Sequence, residues 1–279
     1  MLGRAGGENF PVALRVLPGA LRSDLTAIYG YARLVDQIGD GYSGDRLGAL
    51  DWLDAEVDAA LGLATRAGPA GVHPLVAAAV ATVAAHAVDP QALRDLVAAN
   101  RQDQVVSTYA TFDDLLAYCR MSANPVGRLV LGVFDAVTPE RVAWSDAVCS
   151  GLQLAEHCQD VAEDAGAGRV YLPVEDLERF GVDPAALGAT GPASPGLRAL
   201  TAFEVWRARR LLAEGTPLIG SLRGWARVAV AGFVAGGRGA LDAIADAGFD
   251  PLAGAPRPSR RRIAQHALAE LSARAGRAA

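Results

Sequence analysis

The chain has 279 residues, 51% of them apolar and 6% aromatic, with a formal net charge of −5. That much apolar chain builds one large core or two ordinary ones and excludes a disordered protein, while the acidic balance speaks against a nucleic-acid groove. Abundant alanine, leucine and valine favour closely packed helices over a β-sandwich, and all 26 basic residues are arginine, which grips phosphate through two hydrogen bonds where lysine offers a point charge.

Residues 8 to 20, bracketed by Pro11 and Pro18, read as a short helix or flap. From about Ser23, the residues Leu25, Ile28, Tyr29, Ala32, Val35 and Gly39 recur at helical spacing, and Gly41-Tyr42-Ser43-Gly44 ends that helix. It carries Asp36 and Asp40, four residues apart. Leu47 to Leu63 reads as an amphipathic helix whose Asp51, Asp54, Glu56 and Asp58 face water. A turn at 68–74 leads into an alanine-rich helix from Pro74 to near Val88, and Asp89-Pro90 caps the next one.

Thr111-Phe112-Asp113-Asp114 starts a helix that runs into Pro125 and Gly127, where an apolar helical pattern must kink and leave carbonyls free. Thr138-Pro139-Glu140 begins a long helix that continues to Gly166 and Gly168. On it Glu156, Asp160 and Asp164 stand four apart, each about 40° round from the last, so the three carboxyl groups share one stripe. Short helices follow from Val174 to Phe180 and from Asp183-Pro184, then a loop over 189–196. Helical periodicity resumes from Leu197 to Glu214 and from Leu218 to Ala247, where Gly232, Gly236, Gly237 and Gly239 allow close approach. A last segment puts Ile263, Ala267 and Leu271 on one face. No strand and no repeat period is evident.

Two acidic stripes with no matching row of cations repel: at roughly 7 Å and an effective dielectric near 20, each like pair costs about 2 kcal/mol. Acidic residues four apart are also common on exposed helices, but the apolar neighbours Tyr29, Val35 and Ile38 of the first stripe, and Leu154, Cys158 and Val161 of the second, imply partial burial. A positive charge is wanted between them, and hard oxygen ligands without thiol or imidazole partners point to magnesium. The four histidines are scattered, and His157, about 100° round from Glu156, reads as structural. Cys119, Cys149 and Cys158 form no metal or redox motif and read as reduced core thiols.

With these residues in view, the chain resembles the squalene and phytoene synthase family of isoprenoid diphosphate enzymes, which carries an Asp-x-x-x-Asp pair on each of two facing helices. Here the pairs are Asp36/Asp40 and Asp160/Asp164, the second followed by Gly168-Arg169-Val170-Tyr171-Leu172-Pro173. Glu8-Asn9-Phe10-Pro11-Val12-Ala13 and Tyr118-Cys119-Arg120-Met121-Ser122-Ala123-Asn124-Pro125-Val126-Gly127-Arg128 are similar to the hydroxysqualene synthase branch of bacterial hopanoid biosynthesis. The resemblance implies an all-α, single-domain, isoprenoid synthase-type bundle over residues 1–279, built around a central apolar cavity. It implies a prenyl diphosphate lipid as substrate, presqualene diphosphate for this branch, whose cation water captures as hydroxysqualene. The alternatives are head-to-head condensation of two prenyl diphosphates on the same metal cluster, or a non-catalytic scaffold that keeps the fold.

In this reading Asp36, Asp40, Glu156, Asp160 and Asp164 hold Mg2+, which neutralises the leaving diphosphate as a Lewis acid. Glu156 stands where the family usually has asparagine, Gln37 replaces a commoner aspartate, and Gly6 and Gly7 replace a polar phosphate contact. Arg33, one turn before Asp36, meets either the same phosphate or Asp36 and Asp40 themselves. Arg128, Arg169, Arg238 and Arg257 are weaker candidates for the diphosphate. Tyr118 and Gln153 resemble polar residues lining the family's cavity, the first through its ring towards positive charge, the second orienting water; the plainer reading of Tyr118 is a core residue with its hydroxyl satisfied. The amino terminus lacks the apolar stretch of a secretory signal, so the expected place is cytoplasmic. Arg260-Arg261-Arg262 beside the last helix is either a solvated basic run or a peripheral contact with the inner face of the membrane.

Overall fold

The computed structural model describes residues 17–63 and 71–273. The expected flap lies almost entirely outside them, as do Gly6, Gly7 and part of the turn before Pro74. The described residues are helical, with one isolated parallel bridge between Thr108 and Val170 and no strand among them.

Helix α1 spans Gly19–Asp36 and passes into a π-turn at Gln37–Gly41. Then come α2 (Arg46–Ala60), α3 (Pro74–Ala85) and α4 (Gln91–Gln102). Proline at the first turn of α3, and Asp89 accepting from the Gln91 N–H at 2.9 Å ahead of α4, fix two of these starts. Leu25, Ile28, Tyr31 and Val35 of α1 meet Leu50, Leu53, Val76 and Leu93 in a first core. Each such side chain, fully buried, stabilises by about 1.5–3 kcal/mol. The charges of α2 depart from expectation. Glu56 is buried and accepts the His73 N–H at 2.6 Å, satisfying a donor at the start of α3, while Asp51 and Asp54 pair with Arg101, and Asp58 with Arg94.

A Thr111–Asp114 capping box opens α5 (Phe112–Ser122), which gives way at Ala123 to α6 (Asn124–Val133). The break falls where Pro125 predicts it, and buried Asn124 accepts the Ser150 hydroxyl at 3.0 Å. Helix α7 (Pro139–Gln159) starts on the Thr138 cap and ends at Asp160, whose φ of −105° and ψ of 13° leave the helical region, and α8 runs over Val161–Gly166. The long acidic helix expected here is therefore two helices. The stripe survives the interruption, because the Asp160 N–H still bonds Glu156 O at 3.0 Å and the Asp164 N–H bonds Asp160 O at 2.8 Å.

After α9 (Val174–Arg179) and a 3-10 turn at Pro184–Gly188, α10 (Pro195–Gly215) lies along α7. The expected helix from Leu218 to Ala247 divides at Leu222 and Arg223 into α11 (Pro217–Ser221) and α12 (Gly224–Asp246). A Cβ at Gly237 would run into Leu152, so this glycine sets the approach of α12 to α7. Helix α13 (Arg260–Ser272), capped by Ser259, packs back along α12. The core between α5, α7, α10 and α12 includes Cys119 and Cys158, both buried and free. Helix α12 is long and apolar enough to cross a membrane, but 61% of its apolar window is buried within the fold.

Candidate active site

The two acidic motifs approach each other through the segment between α4 and α5. Gln104 Nε2 donates to Gly39 O at 3.1 Å, which ties this segment to the π-turn that carries Asp40. Three residues on, the Val170 N–H bonds Ser107 O at 2.8 Å, and the Val174 N–H bonds Tyr109 O at 2.9 Å. One short stretch of chain thus stitches the end of α1 to the exit of α8. A Cβ at Gly39 would collide with the Asn100 amide, so any larger residue there would force the Asn100 side chain aside. Widened helical turns of this kind recur at functional sites.

Arg169 crosses the gap. Its Nη1 donates to Asp40 Oδ1 at 2.8 Å, joining the loop after the second motif to the first motif, while its Nε is buried with no hydrogen-bond partner. Asp164 lies beside it. Burial, followed by the charge of Asp160, pushes the Asp164 carboxyl up to about 7, although Arg169 opposes the shift; Glu163 and Asp40 add to it. Burial and Glu163 raise Asp160 as well. Asp160 and Asp164 are partly buried, as expected, whereas Glu156 and Asp40 are exposed. Arg33 Nη1 stands 3.9 Å from Asp36, a long ion pair on the same face of α1.

Behind Arg169 lies an aromatic wall. Tyr118 donates its hydroxyl to Asp103 Oδ2 at 2.7 Å, and Tyr171 donates to Asp103 Oδ1 at 3.2 Å. The ring of Tyr171 stacks on His157 with centroids 3.9 Å apart, and Tyr109 lies 5.4 Å from Tyr118 and 5.8 Å from Tyr171. Burial pushes the Asp103 carboxyl up to about 6, against the Tyr118 bond and the charge of Arg169. Burial, then the Arg169 charge, lowers His157 to about 3, so its imidazole is neutral. Gln153 Nε2 is 3.3 Å from His157 Nε2, which anchors the amide one turn away from the ring stack. A cavity of about 10 Å3 lies among His157, Val161, Asp164, Arg169 and Tyr171, enough for about one water.

The other arginines separate. Arg128 is held by Asp146 at 2.7 Å, and Arg238 by Glu270 at 3.0 Å and Thr216 at 3.1 Å, so neither joins the acidic group. Arg257 is exposed, but Gln159 Nε2 donates to Pro256 O at 2.7 Å and moors its segment next to Asp160. Asp103 and Tyr109 escaped the sequence reading, and Tyr171 entered it only as part of a helix exit. Asp103 sits at the end of a helix in no spaced motif, and only its distant tyrosine partners give it meaning.

All five candidate ligands, Asp36, Asp40, Glu156, Asp160 and Asp164, offer oxygen, which suits magnesium. Among the described residues no three acidic, imidazole or thiol groups converge on a single point. The unpartnered Nε of Arg169 is a donor of the kind a diphosphate oxygen would satisfy.

Comparison with known proteins gives the family. The family model described as Squalene/phytoene synthase matches residues 4–264. A hydroxysqualene synthase of Rhodopseudomonas palustris is 36% identical over 220 residues, 77% of this chain and 72% of that protein. A phytoene synthase of Arthrospira platensis is 31% identical over 220 residues, 73% of this chain and 68% of that protein. The crystal structure of squalene synthase HpnC from Alicyclobacillus acidocaldarius superposes with a TM-score of 0.80 at 39% identity, covering 90% of this chain and 92% of that one. A dehydrosqualene synthase in complex with a ligand superposes at 0.85 and 23% identity over 98% and 93% of the two chains, a likeness of fold. The chain therefore belongs to the squalene/phytoene synthase family.

Proposed function

We propose that the protein is a hydroxysqualene synthase, converting presqualene diphosphate and water to hydroxysqualene and diphosphate. The observation that supports this reading is the Arg169–Asp40 bond, which ties the loop after the second acidic motif to the first and leaves a buried guanidinium N–H without a partner. Asp36, Asp40, Glu156, Asp160 and Asp164 are the residues that would hold magnesium, which when bound would supply Lewis-acid neutralisation of the leaving diphosphate. Arg169 then donates Nε to a diphosphate oxygen, and Arg33 and Arg257 approach from the two motifs' flanks. The rings of Tyr118 and Tyr171 face positive charge developing on the prenyl chain, while His157, neutral and stacked, holds Gln153 where its amide can orient a water. The relatives named hydroxysqualene synthase favour this reaction.

The second reading, head-to-head condensation of two prenyl diphosphates, draws on the relatives named phytoene synthase. Incubating the pure chain and magnesium with presqualene diphosphate, and separately with farnesyl diphosphate, then extracting the lipid, decides between them. Hydroxysqualene from the first substrate alone is expected, and a thirty-carbon product from farnesyl diphosphate alone overturns the assignment.

So apolar a substrate reaches a cytoplasmic enzyme from a membrane, and exposed Arg260 and Arg261 with exposed Leu268 offer a peripheral contact to anionic lipid. Arg262 is spent on Asp246. Truncation at Pro256 abolishes liposome binding if this contact exists, and unchanged binding removes it.

A further inference from the structure

Asp103 belongs to neither acidic motif, and the reaction as written above does not use it. It sits at the C-terminal end of α4, where the helix dipole and burial both disfavour a negative charge. Its two oxygens each take one tyrosine proton, from Tyr118 and from Tyr171. A phenol has a single proton to give, so both hydroxyls are committed as donors to Asp103 and turn only lone pairs elsewhere. Sharing that proton with a carboxylate also pushes electron density into the ring, which strengthens its attraction for a cation. The third ring of the wall is fixed separately, by Gln102 donating to the Tyr109 hydroxyl at 3.4 Å.

We propose that Asp103 is a positioning residue that locks Tyr118 and Tyr171 as electron-rich, non-acidic walls for the carbocation, and so governs the fate of the cation and not the binding of diphosphate. This rests on the functional reading above. A tyrosine free to donate would give its proton to the lone pair of the incoming water that must attack the cation; one held by Asp103 does not. The cation is then left to bond to water oxygen, and the proton that water releases passes to the departing diphosphate or to solvent.

The test is Asp103→Asn in the full chain with magnesium and presqualene diphosphate. Asparagine keeps the shape, but its amide face is a donor and must reverse one of the two tyrosine bonds. Expected are a kcat lower by about tenfold or more, a KM within about threefold of wild type, and a larger share of olefins formed by proton loss. Added to Tyr118→Phe/Tyr171→Phe, the same change should cost less than about twofold more, since its targets are gone. An unchanged kcat and product ratio overturns the proposal. So does a raised KM with the product ratio kept, which would place the effect of Asp103 on Arg169 and the diphosphate. Should Asp103→Asn lose its helical circular dichroism, the double phenylalanine variant decides alone, and a wild-type product ratio there overturns the proposal. If the wild type turns over no prenyl diphosphate, the functional reading fails first. The clamp is then read by carbon-13 NMR of tyrosine Cζ: Asp103→Asn should move the Tyr118 and Tyr171 signals and leave exposed Tyr42 in place, and no movement overturns it.

Discussion

Arg207 and Arg169 both lie among carboxylates, and they are treated in opposite ways. Arg207 bonds Asp176 and, at 2.9 Å, Glu204, two side chains each 2% exposed, and its guanidinium lies 4.1 Å from the ring centre of Phe112 and 4.3 Å from that of Phe203. Its charge is neutralised and its faces are covered. Arg169 has one carboxylate bond, to half-exposed Asp40, an Nε with no partner, and the carboxyls of Asp103 and Asp164 close enough to feel its charge. A cluster completed by the chain itself holds helices together. One that the chain leaves short of partners is kept for a ligand.

The comparison breaks if both clusters answer substitution alike. Asp160→Asn and Asp164→Asn should each lower turnover by about a thousandfold through lost neutralisation of the leaving group, with the helical circular dichroism retained and the melting temperature no lower. Removing a charge that burial disfavours relieves the fold. Unchanged turnover would revive the scaffold reading. Arg207→Ala should do the reverse, destabilising by about 3 kcal/mol in urea unfolding because buried Asp176 loses its counter-ion and Glu204 a hydrogen-bond donor, while the folded fraction keeps its turnover. A loss of activity per folded molecule matching that of Asp164→Asn would place Arg207 in the site.

The contrast was half visible in the chain. Helix starts at Thr111, Thr138 and Pro74 and the kink at Pro125 follow from capping and proline rules, which act over four residues and need no tertiary information. The Asp160/Asp164 spacing survives for the same local reason, even across the break at Asp160, because the hydrogen-bond step of four is kept there. What periodicity did not supply is partner choice. Arg128, Arg169 and Arg238 look alike in sequence, and only the fold gives the first to Asp146 and the third to Glu270 while sending the second to Asp40. Glu56 reads as a water-facing charge of an amphipathic helix until His73, 17 residues on, needs an acceptor. Asp103 was illegible for the strongest reason: its partners lie 15 and 68 residues away.

Acidity sharpens the comparison further. Burial pushes Glu204 up to about 8, Arg207 pulling against it and Asp176 adding to it. The folded state then holds this proton more tightly than the unfolded chain, where glutamate titrates near about 4.3. Stability from this group is therefore complete below the unfolded value and is lost as pH rises towards about 8. Glu204→Gln should flatten the fall of melting temperature between about pH 5 and 9. A slope identical to wild type assigns the dependence to other groups.

The smallest expected effect lies at the joint between the motifs. Gln104 Nε2 bonds both Gly39 O and, at 2.9 Å, Asn100 O, so its amide holds the π-turn of Asp40 against the end of α4. Gln104→Ala should cost about 1 kcal/mol of stability, too little to unfold the chain. Its functional consequence is predicted to be selective. Loosening the turn displaces Asp40 from Arg169, which weakens the grip on diphosphate and raises KM a few fold, while the Asp103 bonds to Tyr118 and Tyr171 and therefore kcat are left as they were. A fall in kcat at unchanged KM would mean that the segment between α4 and α5 acts on the tyrosine wall before it acts on the metal motifs.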